Sequence, residues 1–476
     1  MPLTPPAPRS GPPNILFLMS DEHRADLAGF GGNDVVRTPV LDELARTGVV
    51  FDNAYCPSPV CVPCRQAMAA GQRPRTCGVE QFCEDLPPNS MTFARRLQQY
   101  GYETCCVGKL HHTGPDQMQG WTQRLGLDTH VGDAFRDLRV DPTTLGAGAW
   151  SDGKWSDAKE IRRAGVGKGP MTQVHDASAI DEALRYADVY FANAYYDRPV
   201  APRPLLLKLS FTRPHYPYFA DEALFTYYLN RVPVFEDEPL FDHPFLSQHA
   251  VTPGQDVTVR ELRRATAAYY AMIEAMDLDY GRMMDRLTEL GEDLDDWWIV
   301  YTSDHGEMLG EHGIWEKQKF FEGSARVPLV IRPPARLRDA WGCTGLRVQQ
   351  NVNLIDLFAT LCEAAEVPLP PPEECVRGRA LDSRSLVPLM RGATETWDNE
   401  TTSEYGGTNL MIRRDDLKYQ WYDREDCRSQ PTDLEVLFDL SRDPGERHNA
   451  ADDPAYADTI LAFRKRRDEL GFASSM

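Results

Sequence analysis

Four short apolar runs punctuate the chain, and each stops at polar or charged residues: NILFLMS (14–20), YETCCVG (102–108), PLLLKLSF (204–211) and WWIVYTS (297–303). Nearly continuous apolarity over so few residues fits strands covered on both faces. Between these runs the period becomes that of a helix. TPVLDELARTG (38–48) opens on Thr-Pro and stops at Gly, the usual asymmetry of helix ends. Residues 258–291 place Leu262, Tyr269, Met272, Ile273, Met276 and Met283 at helical spacing, which predicts a long helix whose Met and Tyr stripe packs into the core. Strands alternating with helices predict an α/β fold, a large domain with a mostly parallel central sheet flanked by helices.

The pattern changes after residue 392. ATETWDNETTS (393–403) reads as a polar linker, NLMIRRDDLKYQWYD and EVLFDLSRDPGE as antiparallel strands, and AYADTILAFRKRRDEL (455–470) as a closing helix. We therefore expect a large domain over residues 1–392 and a small C-terminal α+β domain with an antiparallel sheet over residues 393–476. Residues 131–171, rich in Gly, Asp and Trp with weak periodicity, read as a long excursion at the rim of a site. EDEPLFDH (236–243) reads as a solvated acidic loop.

Composition narrows the function. Lys plus Arg number 51 against 72 Asp plus Glu, a formal charge of −21, which argues against nucleic acid or an anionic membrane surface as partner. No stretch approaches the roughly 18 apolar residues of a membrane span. The first thirteen residues are proline-rich without an apolar run and read as a disordered lead-in, not a secretory signal, so a cytoplasmic protein is expected. In that compartment most of the eleven cysteines are expected to be reduced.

The candidate chemistry lies where the strands end. In a parallel sheet the carboxyl ends of all strands face one side, and ligands bind there. The four runs deliver Asp21, Glu22 and His23; Lys109, His111 and His112; Arg213 and His215; and Asp304 and His305. Carboxylates, imidazoles and a lysine gathered in one place suit a divalent cation bound by oxygen and nitrogen and facing an anionic group. CVPCRQAMAAG (61–71) adds a helix start: Pro63 suits the first turn and Gly71 the stop. Cys61 then sits at a helix N-terminus that favours an anion, with Arg65 one turn on. As a thiolate or in a modified form it is placed as a nucleophile. Cys61 and Cys64 also form a C-x-x-C, so a redox pair or half a metal site is the competing reading.

These residues carry a family resemblance. Cys61-Val62-Pro63-Cys64-Arg65 resembles the C-x-P-x-R signature of the formylglycine-dependent sulfatases of the alkaline phosphatase superfamily. NILFLMSDEHRADLAGFGG resembles that family's first metal-binding strand, GKLHH its lysine-histidine motif, RPHYP its later histidine, and TSDHGEMLGEHGIWEKQKFFEGSARVPLVI its second metal strand with the lysine beyond. LFDLSRDPGERHNAADDP is similar to its C-terminal domain, and GKLHHTGPDQMQGW to the matching stretch of choline sulfatases.

The resemblance implies a sulfate-ester hydrolase in which a formylglycine-generating enzyme, a maturation partner, converts Cys61 to formylglycine. The hydrated aldehyde attacks sulfur with one hydroxyl and expels sulfate with the second. It implies Arg65 holding that group, Lys109 and Lys317 neutralising the transition state, His111 taking a proton, and His215 protonating the leaving oxygen. It further implies a divalent cation held by Asp21, Asp304, His305 and the residue at 61, with Glu22 an added ligand or a substrate-facing group. Calcium is favoured over manganese and magnesium. Lys317 is chosen over Lys319 by its spacing to Glu322-Gly323. Two departures stand out: Glu22 where relatives carry a second Asp, and Cys64 where they usually carry Ser, which leaves a Cys61–Cys64 disulfide open. The expected substrate is a small anionic sulfate ester; the nearest rival is a phosphonate monoester or phosphodiester hydrolase using the same site, and a non-enzymatic thiol or metal-binding protein is more distant. Homo-oligomerisation is left open.

Overall fold

The four apolar runs become strands of one sheet. In the computed structural model, residues 11–128, 157–191, 203–236, 238, 250–423 and 432–473 are described. In chain order the strands are β1 (Ile15–Asp21), β2 (Val49–Tyr55), β3 (Glu103–Gly108), β4 (Gln123–Leu125), β5 (Gly165–Val166), β6 (Leu205–Pro214), β7 (Phe219–Ala220), β8 (Trp298–Ser303), β9 (Leu329–Arg332) and β10 (Leu346–Asn353). Eight form a sheet in the order β10-β2-β9-β8-β1-β6-β3-β4, and β5 pairs with β7 apart from it. All neighbours in the large sheet run parallel except around β9, which is antiparallel to β2 and β8. The predicted strands β1, β6 and β8 are adjacent at the centre, and every residue in them is buried.

Helices cover both faces. Leu16 and Leu18 of β1 share one apolar cluster with α1 (Pro39–Thr47), α3 (His175–Phe191) and α4 (Val259–Glu289). Ile15, Phe17 and Met19 point the other way, into a cluster with α2 (Cys61–Ala70) and α5 (Leu357–Ala364). The period-2 alternation of strand side chains thus serves two cores at once. The long α4 begins with a reciprocal cap: Thr258 accepts from the Glu261 amide, and the Glu261 carboxylate accepts from the Thr258 amide. Thr258→Ala is expected to lower the unfolding free energy by about 1 kcal/mol, seen as a lower urea midpoint at unchanged slope.

The C-terminal part forms a four-stranded antiparallel sheet, β11 (Glu400–Tyr405), β12 (Asn409–Arg414), β13 (Leu417–Tyr422) and β14 (Leu434–Asp439), in that order. One face packs on α6 (Ala457–Glu469) through Leu410, Ile412, Tyr419 and Phe463. From the other face, Val436 and Phe438 pack on Met308, Ile314 and Phe321, in the chain that follows β8. The expected linker over 393–403 is shorter than the sequence pattern implies, because Glu400, Thr401, Thr402 and Ser403 belong to β11 and are buried.

Of the expected rim excursion, residues 131–156 lie outside the described residues. The rest includes a helix over Asp157–Arg163 and the short strand β5. Of the acidic loop only Glu236 and Glu238 are described, and Glu238 is not simply solvated: it is half-buried and pairs with Arg447. Residues 1–10 of the lead-in also lie outside. No described helix is long and apolar enough to cross a membrane.

Candidate active site

The carboxyl ends of β1, β3, β6 and β8 converge with the start of α2. The register of β1 against β6 shifts between Met19 and Asp21, and the chain then turns through Glu22, whose φ is +66°. That turn aims the Glu22 amide at Asp304 Oδ1, 3.1 Å away, so the ends of β1 and β8 are tied together. Val60, the N-cap of α2, offers no side-chain cap, and Cys61 is the first helical residue. Its Sγ lies 3.1 Å from His305 Nε2 and 3.8 Å from Asp21 Oδ1.

Arg65, one turn into α2, is buried and holds both carboxylates. Its Nη2 is 2.9 Å from Asp21 Oδ2 and its Nε 2.7 Å from Asp304 Oδ2. Its Nη1 donates to the Lys109 carbonyl at 3.0 Å and to Ser210 Oγ at 3.1 Å. Lys109 Nζ approaches Asp21 Oδ2 to 2.6 Å. On the opposite side His215 Nε2 lies 3.3 Å from Glu22 Oε2 and 4.0 Å from Asp21 Oδ1. Lys317 Nζ sits 2.9 Å from Glu22 Oε2 and 5.0 Å from the centre of the Tyr216 ring.

Burial sets the electrostatics. It opposes the Asp21 carboxylate, but Lys109, His215 and Arg65 outweigh it and hold the carboxyl well below its usual range. Burial likewise opposes the Lys109 ammonium, and Asp21 beside it more than compensates, leaving its pKa raised. The Cys61 thiol is pushed up to about 12 by burial, with Asp21 adding to the effect. At neutral pH the side chain is therefore an uncharged S–H and a weak nucleophile. Burial, and then Lys317, pushes His215 well below the ordinary imidazole range, while Asp21 beside it works the other way.

Asp21, Cys61, Asp304 and His305 each offer one ligand atom, all within 4.8 Å of one another and all buried. Two carboxylates, an imidazole and a group at position 61 fit a hard or borderline divalent cation. Asp21, Glu22 and His215 form a second such group, but there the Lys317 ammonium already stands against Glu22.

Nine of the residues singled out in the sequence thus share one centre: Asp21, Glu22, Cys61, Arg65, Lys109, His215, Asp304, His305 and Lys317. His111 is buried two residues past Lys109, with φ +62°. Its amide donates to Asp128 Oδ2 at 3.1 Å, and the Phe82 ring meets its imidazole edge-on at 5.2 Å. Three other strand-end residues serve the fold. His23 bonds the Tyr301 hydroxyl and the Leu27 carbonyl at 2.5 and 2.8 Å, His112 the Gln117 carbonyl at 3.3 Å, and Arg213 pairs with Asp176 and Asp279. Cys64 Sγ donates to the Asp304 carbonyl at 2.8 Å, and both it and Cys61 are free thiols, so no Cys61–Cys64 bond is present.

Sequence reasoning missed three supports of this centre. Ser210 is a ligand of Arg65; a polar Lys208, Ser210, Thr212 alternation inside a buried strand was the available signal. Asp128 accepts from the amides of Leu110 and His111, and Glu307 from the amide of Glu316 at 2.6 Å; neither spacing carries a signature.

Comparison with known proteins identifies the family. Residues 13–367 match the model of the sulfatase family, and residues 310–471 that of the N-sulphoglucosamine sulphohydrolase C-terminal region. The chain is 34% identical over 475 residues to a choline-sulfatase of Rhizobium meliloti (strain 1021), covering 96% of this chain and 86% of the relative. It is 28% identical to an arylsulfatase of Clostridium perfringens (strain 13 / Type A), covering 95% and 93%. Among solved structures, the phosphonate monoester hydrolase of Agrobacterium radiobacter superposes with a TM-score of 0.73 at 23% identity, covering 96% and 95%, a likeness of fold. With a family model over most of its length and a 34% identical relative aligned almost end to end, the chain belongs to the sulfatase family of sulfate-ester hydrolases.

Proposed function

We propose that the protein hydrolyses a small sulfate ester to an alcohol and inorganic sulfate in the cytoplasm, with residue 61 acting as formylglycine and a divalent cation, calcium favoured, held by Asp21, Asp304, His305 and residue 61. One observation carries the reading: Cys61, at the start of a helix, lies within 4 Å of Asp21 and His305, and Arg65 and Lys109 are bonded to the same Asp21 carboxylate. When bound, the cation supplies Lewis-acid polarisation of the anionic group. Formylglycine, made by a formylglycine-generating enzyme, would add one water to give two hydroxyls on one carbon, one to attack sulfur and one whose deprotonation would re-form the aldehyde and release sulfate, which a protonated thiol does not offer.

The remaining roles belong to the chain's own side chains. Arg65, fixed by two carboxylates, sets the position of Asp21 and Asp304 around residue 61. Lys109 and Lys317 place positive charge on two sides of the centre, where the equatorial oxygens of a sulfuryl group gather charge. His215 stands beside Glu22 and Lys317 to hand a proton to the leaving oxygen, and His111, oriented by the Asp128 contacts to its own amide, takes one up on the Lys109 side. In this reading Glu22 serves Lys317 and His215 more than the cation.

The test is catalytic efficiency on matched aryl sulfate and aryl phosphonate esters, with choline sulfate assayed alongside because of the 34% identical relative. Higher kcat/KM on a sulfate ester is expected; a large phosphonate preference overturns the assignment in favour of a phosphonate monoester hydrolase. Removing divalent cations with a chelator is expected to abolish turnover and lower the thermal midpoint, both restored by added calcium, since a ligand bound only by the native state stabilises it. Unchanged turnover and midpoint after exhaustive chelation contradict the cation's role.

A further inference from the structure

Lys317 sits in an unusual stretch of backbone. The residues on either side of it, Glu316 and Gln318, have φ of +63° and +75°, a left-handed conformation that side-chain-bearing residues adopt at a cost and keep only when their surroundings hold them there. The restraints are visible. The Glu316 amide donates to Glu307 Oε1 at 2.6 Å. The Gln318 amide donates to the Pro59 carbonyl at 3.0 Å, two residues before Cys61, and the Gln318 side-chain oxygen accepts from the Tyr405 hydroxyl at 2.7 Å.

Tyr405 is the last residue of β11, and the residue before it bonds the other partner: the Glu404 amide donates to the Pro57 carbonyl at 2.8 Å. Adjacent residues of one C-terminal strand therefore grip both the segment leading into Cys61 and the loop that carries Lys317. A second grip holds the far end of that loop, where Lys418 Nζ is 2.8 Å from both Glu322 Oε1 and Glu446 Oε1, and the Glu322 amide donates to Glu446 Oε2 at 2.7 Å. The loop is thus fixed from the C-terminal sheet at residues 318 and 322, with Lys317 next to the first point.

We propose that Tyr405 is a positioning residue for Lys317: its hydroxyl holds Gln318, and through Gln318 the backbone that aims the Lys317 ammonium at Glu22 and the reacting sulfuryl group. The proposal rests on the sulfatase reading for the role of Lys317, while the restraint on the loop stands on geometry alone. Tyr405 bonds Gln318, whereas Asp21 and Asp304 are held around residue 61 by Arg65, so loss of the hydroxyl acts through Lys317 and not through that arrangement.

The test is Tyr405→Phe, which removes one hydroxyl and keeps the ring, made in the wild-type chain and in Lys317→Met. The expected result is a kcat about tenfold lower at nearly unchanged KM, faster amide hydrogen exchange confined to residues 316–320, and no further fall in kcat when Tyr405→Phe is added to Lys317→Met. Contacting residues that act as a unit give such non-additive effects, and independent ones do not. Unchanged exchange in the loop, or kcat losses that multiply in the double variant, overturns the proposal. If the wild-type enzyme carrying formylglycine hydrolyses no sulfate ester while Tyr405→Phe still speeds exchange at 316–320, the sulfatase reading falls and the clamp on the loop stands.

Discussion

On the proposed function, replacing Cys61 by alanine is expected to abolish sulfate-ester hydrolysis and leave the fold in place. The side chain is fully enclosed but small, and it sits at the first position of α2, where alanine is a good helix former. Its removal costs roughly 1 kcal/mol of packing, little against the size of the cores on either face of the sheet. Catalysis has no substitute for it. Its neighbour Cys64 donates to the Asp304 carbonyl and belongs to none of the metal-competent groups among the described residues. Loss of a covalent nucleophile lowers kcat by about 10⁴-fold or more, so activity falls to background while circular dichroism and the thermal midpoint stay close to wild type. Cys64→Ala is the contrast: it removes the C-x-x-C pair and keeps hydrolysis, which excludes the thiol redox and thiol-metal readings together.

Changing Asp21 has a larger effect on the molecule as a whole. Asp21→Ala removes the one carboxylate that faces both Lys109 at 2.6 Å and Arg65 at 2.9 Å, with all three side chains buried. Arg65 retains Asp304, but Lys109 is left as a buried ammonium without that partner. Breaking a buried pair from one side costs about 3–5 kcal/mol, and on the proposed function the cation loses a ligand at the same time. Expected are loss of turnover, loss of the calcium-dependent rise in thermal midpoint, and a midpoint well below wild type in chelator. Asp21→Asn keeps the volume and separates charge from packing. Linkage supplies a further sign. Because the folded carboxyl is held below its ordinary range, its stabilising contribution is present above the unfolded value near 3.9 and is lost as pH falls below about 4. Asp21→Asn lacks that contribution, so its stability falls less steeply than wild type in the same acid range.

Much of this was readable from sequence because the fold is written in local patterns. β1, β3, β6 and β8 are apolar runs that end where the charge begins, and the stops of α1 and α2 at Gly48 and Gly71 and the Thr258 cap of α4 lie where capping chemistry puts them. Convergence of the strand ends then followed from parallel topology. What local pattern does not encode is where a strand-end side chain points. Arg213 and His215 are two residues apart, yet Arg213 reaches back to Asp176 and Asp279 while His215 faces Glu22. His23 follows Glu22 directly and turns to Tyr301. Nor does hydropathy reveal polar residues buried by tertiary packing. Glu400, Thr401, Thr402 and Ser403 of β11 read as linker because they are polar, and they are buried where β11 docks beside β10, with Asn353 donating to Thr401 Oγ1 and the Thr402 carbonyl. The same blindness hid Ser210, Asp128 and Glu307, each of which supports the centre from a place where no motif marks it.

The account stands on what occupies position 61. Peptide mass spectrometry across the tryptic fragment containing Cys61, from enzyme produced with a formylglycine-generating enzyme and assayed for sulfate release in the same preparation, tests it most directly. The prediction is an aldehyde at residue 61, in a fraction that tracks the specific activity. A fully active preparation in which residue 61 is an unmodified thiol, or is joined to Cys64 in a disulfide, contradicts it.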